Sequence, residues 1–395
     1  MRTAQRTARL RVLAFTDYFS ESSCGGAERV TREVYKRLPD LGTDVMVLTA
    51  TPFGDPGSRT VDGIPVLSVG SVDLSRLSGG QVCIAPRLPG SALRLVKSFR
   101  PDVLHANGLH FQTTIAAAIC RRLRGIPLVT TAHIGSPDRL PGRIRAATHA
   151  YERTVGRYVL ARSARVIAVA ASVAEHLLGL GVPADRIEVI PNGVDLARFA
   201  RSDRSGAGSG PPLFVFVGRL IENKGPGLFL DALVHLRNDG MAFGAAFVGD
   251  GPQRLDLASR VAVAGLSDRV TFVGHSTDVA GWLGRATALV RPSLTEGMPL
   301  TVLEALASGV LVIASDIPGN TGLIDHLRNG LVFPSGDARA LAGMLRFAVE
   351  HPEVAGRLAE AGHQGVRSFS WDACAEATLG VLTQVAAPAA GRTGA

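Results

Sequence analysis

The chain has 395 residues, 46% hydrophobic and 19% charged, enough apolar side chain for about two or three packed cores and too much for a disordered chain. Its formal charge of +8 is lopsided: residues 1–195 carry 25 Lys and Arg against 16 Asp and Glu, and residues 196–395 carry 17 against 18. No run of about 18 uncharged apolar residues occurs, the best one (300–314) being broken by Glu304, which excludes a spanning helix.

The chain opens on Arg2, Arg6, Arg9 and Arg11, but the apolar run that follows ends at Asp17 and is too short for an export signal. Cys24, Cys83, Cys120 and Cys374 are far apart with no CxxC pair. They read as reduced thiols of a cytoplasmic protein, forming neither a disulfide framework nor a zinc site. Continuous Val/Ile/Leu runs predict strands at 10–15, 44–49, 103–106, 127–131, 165–169 and 187–190, with amphipathic helices at 27–38 and 113–124. The second half repeats the texture, with strands at 213–217, 245–248, 270–273, 288–291 and 310–314 and a last helix over 371–385. Such alternation predicts an α/β protein with doubly wound parallel sheets covered on both faces. The expected domains are 1–200 and 213–370, joined by the Gly/Ser/Pro-rich linker 201–212 and followed by a helix at 371–386 and a tail at 387–395. Ligands of open parallel sheets bind beyond the carboxyl ends of the strands, so a cleft between two such domains is the expected site.

Candidate chemistry lies at those ends. Gly25 and Gly26 follow the first strand and precede a helix, where they serve either as a tight turn or as a close approach for an anion. The string is not GxGxxG, so it adds little for a dinucleotide. Arg219 follows the strand at 213–217 and Lys224 comes five residues later at a helix start, a placement suited to gripping a diphosphate. Glu296 sits in the loop after the strand at 288–291, and Glu304 lies eight residues on, inside a helix that begins near Pro299. Between them the amides of Gly297, Met298, Leu300 and Thr301 could take a phosphate while the carboxylates accept from hydroxyls. His133 comes just past a buried strand, and His105 and His110 bracket Asn107-Gly108. No Asp-x-Asp pair, HExxH or Cys/His cluster occurs, so neither a metal nor another cofactor is expected. The basic stretch 94–165, with 13 basic and 3 acidic residues, is either an Arg-rich solvated surface or a face for something anionic.

Together the strings GGAE (25–28), IPNGVDLARF (190–199), FVGRLIENKG (216–225), FVGDGP (247–252), VTFVGH (270–275) and EGMPLTVLEALASG (296–309), with His133, are specific. The chain resembles the family-4 retaining glycosyltransferases of the two-Rossmann-domain (GT-B) fold over nearly its full length. The resemblance implies two domains facing a cleft, with the C-terminal helix crossing back to the first. It also implies transfer of a hexosyl group from a nucleotide sugar, UDP-sugar favoured, to an acceptor hydroxyl, without metal. Gly26 would approach the donor diphosphate and Arg219 and Lys224 would neutralise it. Glu296 would contact the transferred sugar and the amides after it the distal phosphate. Glu304 would hold the ribose, Val273 and Gly274 would flank the base, and His133 would assist transfer. Departures are the His105-Ala106-Asn107 string, Gly322 where a glutamate is frequent, and Met298 where phenylalanine is. The acceptor could be a lipid-linked or polysaccharide precursor or a small natural product, and the basic half predicts weak association with an anionic membrane. The rival readings are another enzyme on this fold, such as an epimerase or phosphorylase, and a non-catalytic anion or nucleic-acid binder. Few aromatic residues interleave the arginines, which speaks against nucleic acid.

Overall fold

The computed structural model describes residues 9–20, 25–51, 56–73, 83–201 and 210–387; Cys24, most of the expected linker and the tail lie outside them. The chain divides into two units. The first comprises Met1–Ile134, Ala146–Asn192 and Trp371–Ala395, and the second Gly135–Arg145 and Gly193–Ser370.

The first unit holds β1 (Leu10–Thr16), β2 (Thr43–Thr51), β3 (Gly57–Val61), β4 (Ile64–Gly70), β5 (Val72–Asp73), β6 (Cys83–Ile84), β7 (Val103–Asn107), β8 (Leu128–Ala132), β9 (Arg165–Ala168) and β10 (Ile187–Val189). Eight of them form one sheet in the order β10-β9-β8-β7-β1-β2-β4-β3, while β5 and β6 pair separately. Every neighbour in the large sheet is parallel except β3, which runs antiparallel to β4. All five residues of β7 and of β8 are buried, as a strand covered by helices on both faces requires. The β3–β4 hairpin has no counterpart among the predicted strands, although Asp62-Gly63, at φ 50° and 77°, is a two-residue hairpin turn. The Trp371–Ala386 helix belongs to this unit and packs on the Gly26–Tyr35 helix, burying Trp371, Cys374, Ala375, Val381 and Leu382. Cys120 and Cys374 are both buried.

The second unit holds β11 (Leu213–Val217), β12 (Gly244–Val248), β13 (Val270–Gly274), β14 (Ala288–Arg291), β15 (Leu311–Ser315) and β16 (Leu331–Phe333). They form an all-parallel sheet in the order β13-β12-β11-β14-β15-β16. Its core is rich in phenylalanine: the Phe247 ring lies 5.1 Å from Phe229 and from Phe272 and 5.8 Å from Phe216. Offset aromatic contacts of this kind add about 0.5–1.5 kcal/mol each beyond area burial. Strand order reverses between β11 and β14, where a doubly wound sheet opens to its ligand.

Candidate active site

The reversal point brings together the segments that leave β11 and β14, neighbours in the sheet although β12 and β13 intervene in sequence. After β11 the chain passes Arg219, which is half-buried, and makes a short turn over Glu222–Lys224. Gly225, at φ 71°, ends that turn against the loop after β14; a Cβ there would stand 2.1 Å from the Pro292 carbonyl oxygen. This close approach, which only glycine permits, aims Lys224 at Glu296.

Lys224 Nζ donates to both Oε1 and Oε2 of Glu296 at 2.8 Å. Ser293 Oγ donates to Oε1 at 2.8 Å, and Arg291 Nη2 donates to the same oxygen. The loop that carries Glu296 is pinned by Ser315 Oγ, donating to Ser293 O at 2.6 Å, and by Leu294 N, donating to Asn223 O at 2.9 Å. Gly319 lies flat against it, since a Cβ there would be 2.5 Å from Glu296 O. Burial by itself would raise the Glu296 carboxyl, but Arg291, Lys224 and Ser293 outweigh it and hold the group down at about 2. Burial pulls the Lys224 ammonium down to about 8; Glu296 opposes that shift, while Arg291 and Arg219 reinforce it.

The Leu300–Ala307 helix starts just after this loop, with Pro299 as its N-cap. Leu300 and Thr301 occupy its first turn, where an α-helix cannot pair its amides internally. Thr301 Oγ1 is buried and makes no hydrogen bond. Gly297 and Met298 are buried in the loop before it. Glu304 is 2% exposed among Leu303, Ala305 and Leu306, so it is not a solvated helix residue. Val273 and Gly274 end β13, and Gly274 O accepts from Gly249 N at 2.8 Å.

In the first unit, Gly25 is the N-cap of the Gly26–Tyr35 helix, and its N–H donates to Glu28 Oε2 at 3.2 Å. That amide is thus taken by a carboxylate of its own helix. A Cβ at Gly26 would meet nothing within 4 Å, which leaves its backbone approachable. His133 follows β8; burial lowers its pKa to about 4, so the ring is neutral at pH 7, and Nε2 has no hydrogen-bond partner. His105 has both ring nitrogens in the core, Nδ1 2.9 Å from Tyr35 Oη and Nε2 2.8 Å from Thr131 Oγ1. It is a structural histidine.

The sequence assigned no role to Arg291 or Ser293. The available signal was a charged residue closing an otherwise apolar buried strand, Ala288-Leu289-Val290-Arg291. Among the described residues no group of three or more His, Cys, Asp and Glu could hold a metal ion.

Two family models account for most of the chain: "Glycosyltransferase Family 4" matches residues 24–198 and "Glycosyl transferases group 1" residues 198–365. A glycogen synthase of Mycobacterium tuberculosis is 29% identical over 94% of both chains. A D-inositol 3-phosphate glycosyltransferase of Pseudarthrobacter chlorophenolicus is 28% identical, covering 90% of this chain and 89% of its own. The crystal structure of HepE of Anabaena in complex with UDP-glucose has a TM-score of 0.75 at 20% identity, covering 95% of this chain and all of that one.

Proposed function

The chain belongs to the family-4 glycosyltransferases of the GT-B fold, enzymes that depend on a sugar nucleotide, and we propose from this that it moves a hexosyl group from a UDP-sugar to an acceptor hydroxyl with retention of anomeric configuration. The observation that carries the residue assignments is Lys224 on Glu296 with Arg291 beside them, two cations facing one carboxylate at the carboxyl ends of β11 and β14. One positive charge is left over for an anion. Lys224 and Arg219 would take the donor diphosphate and stabilise it as it leaves, where fixed charge is most effective. Glu296 would accept from a hydroxyl of the transferred sugar, and the amides of Gly297, Met298, Leu300 and Thr301 would meet the distal phosphate. Glu304 would hold the ribose, and Val273 and Gly274 would flank the base. The parts given to Gly25, Gly26 and His133 rest on the family resemblance. UDP is favoured over other nucleotides because HepE was crystallised with UDP-glucose.

No metal enters this scheme, since Arg219 and Lys224 supply the positive charge a cation would bring. The acceptor class stays broad: a lipid-linked or polysaccharide precursor, or a small natural product. No helix among the described residues is long and apolar enough to cross a membrane. Peripheral association at an anionic surface is proposed from exposed Arg94, Lys97, Arg100, Arg122, Arg124, Arg153 and Arg157.

A screen of UDP- and GDP-sugars for nucleotide release, with and without EDTA, tests the reading. Release from one UDP-sugar that persists in EDTA supports it. Release that vanishes in EDTA and returns with Mg²⁺ or Mn²⁺ overturns the metal-free scheme, and release from GDP-sugars alone overturns the choice of base.

A further inference from the structure

Arg291 closes β14, its side chain is 5% exposed, and a buried guanidinium is costly unless it is paired and hydrogen-bonded. Nη1 donates to the Val217 carbonyl oxygen at 3.0 Å, at the end of β11, and Nη2 to Glu296 Oε1. The guanidinium therefore bridges the two strand ends that frame the candidate site.

The two oxygens of Glu296 are loaded unequally. Oε1 accepts from Arg291, Ser293 and Lys224, whereas the hydrogen bonds to Oε2 come from Lys224. A carboxylate oxygen has room for about two acceptor sites, so Oε1 is saturated and Oε2 is not. If Lys224 turns to a diphosphate, Glu296 keeps Arg291 and Ser293 on Oε1 and opens Oε2 to a sugar hydroxyl. Without Arg291, Lys224 would be the only ion-pair partner among the described residues of a carboxylate 8% exposed, and its departure would strand a buried charge. The groups facing this pair are Lys224 from the turn after β11, Arg291 from β14, Ser293 from the carboxylate's own loop and the uncharged backbone of Gly319. The charge of Arg219 also acts on Lys224, against its ammonium.

We propose that Arg291 is a positioning residue that holds Glu296 in place and ionised while Lys224 leaves it for the donor diphosphate. This rests on the diphosphate and sugar assignments made above.

The test uses the full chain and measures UDP binding by calorimetry, donor turnover against pH, and thermal unfolding. Arg291→Met ties Lys224 to Glu296 and should weaken UDP binding about ten- to a hundredfold, the range of one charged hydrogen bond. Adding Glu296→Gln to it should restore UDP binding, because a neutral amide does not retain the ammonium, yet leave turnover lost. Arg291→Met should also lose kcat/KM between pH 6 and pH 4 while the wild type stays flat, and Arg291→Lys should recover part of both effects. A merely structural role would move neither the acid limb nor the UDP affinity of a folded Arg291→Met variant. If Arg291→Met does not fold, Arg291→Lys and the double variant, which removes the guanidinium and the carboxylate together, carry the comparison. A folded Arg291 variant with wild-type UDP affinity and wild-type acid limb overturns the inference alone. A wild-type chain that binds neither UDP nor GDP overturns the diphosphate reading, and this inference with it.

Discussion

Two cations facing one carboxylate leave an excess of positive charge at the ends of β11 and β14, and a leaving diphosphate would meet that excess. Charge on the leaving group is larger in the transition state than in the bound donor. Removing Arg219 or Lys224 should therefore cost kcat more than KM. At about 1.5–3 kcal/mol per charged hydrogen bond, Arg219→Ala and Lys224→Ala should each lower turnover about 10- to 100-fold while folding normally. Free UDP carries the leaving group's full charge, so its affinity should fall with Lys224 as well. Steady-state kinetics at saturating donor check this; wild-type kcat in both variants would reject the diphosphate assignment. Glu296→Gln should cripple transfer and spare UDP binding, since its proposed partner is the sugar. The ammonium of Lys224 is needed charged, and burial brings it down to about 8. The pH profile of kcat/KM should accordingly fall as pH rises through that value, and Lys224→Arg should move the limb upward because guanidinium does not titrate there. A profile flat to pH 10 in the wild type would count against it.

Among the elements, two buried carboxylates of the first unit act on helix ends and turns. Asp17, just beyond β1, caps the Gln112–Arg124 helix from a distance in sequence: Oδ1 accepts from Thr113 N at 2.9 Å and Thr113 Oγ1 at 2.7 Å, and Oδ2 from Gln112 N at 3.2 Å. Replacing it by alanine should cost about 0.5–2 kcal/mol, the usual loss for an N-terminal cap, read as a lower urea midpoint. Glu152 opens a short π-helical turn, Glu152–Gly156, and its Oε1 lies 3.2 Å from His176 Nε2 and 3.2 Å from His110 Nε2. Burial would raise this carboxyl, but His110 and His176 hold it down at about 2 against an ordinary 4.5. A depressed folded pKa stabilises fully above the unfolded value and fades as pH falls. The contribution should be complete above about 4.5 and lost between there and about 2, with Glu152→Gln flattening that part of the stability-versus-pH curve. Identical acid curves for the two proteins would refute it.

At the scale of the whole molecule, the chain builds most of one unit, then the other, and returns at Trp371 to finish the first. The returning Trp371–Ala386 helix buries Trp371, Ala375 and Leu382 and is tied to Arg37, whose Nε donates to Asp372 Oδ1 at 2.6 Å. Truncation after Ser370 should lower the melting temperature of the first unit and its soluble yield. A full-length chain that unfolds at the same temperature as the truncated one would show that the helix contributes nothing. The charge asymmetry belongs to this scale too. Cosedimentation with anionic vesicles should be weak and should disappear as salt rises past a Debye length of about 10 Å at 0.1 M. Binding indifferent to salt, or absent at low salt, would reject a membrane role.

Sequence alone determined the α/β class, the buried parallel strands and the family, because those follow from local periodicity and from strings such as EGMPLTVLEALASG that lie contiguous in the chain. It also indicated Arg219 at a strand end, Lys224 at a helix start and Glu296 in the loop after a strand. Tertiary structure decided what these residues touch. Lys224 and Glu296 are 72 positions apart and meet because β11 and β14 are sheet neighbours across a crossover. The roles of Arg291 and Ser293 exist only once that meeting is made, and Asp17 reaches Thr113 across 96 positions. The amide of Gly25 was legible as an anion donor, yet folding hands it to Glu28. The β3–β4 hairpin went unread because β3 is mostly exposed and the apolar residues of β4 are interrupted by Pro65 and Ser68, so neither gives the continuous apolar run of a buried parallel strand. Local sequence sets which residues can ionise or donate; the sheet order sets their partners, and so their charge.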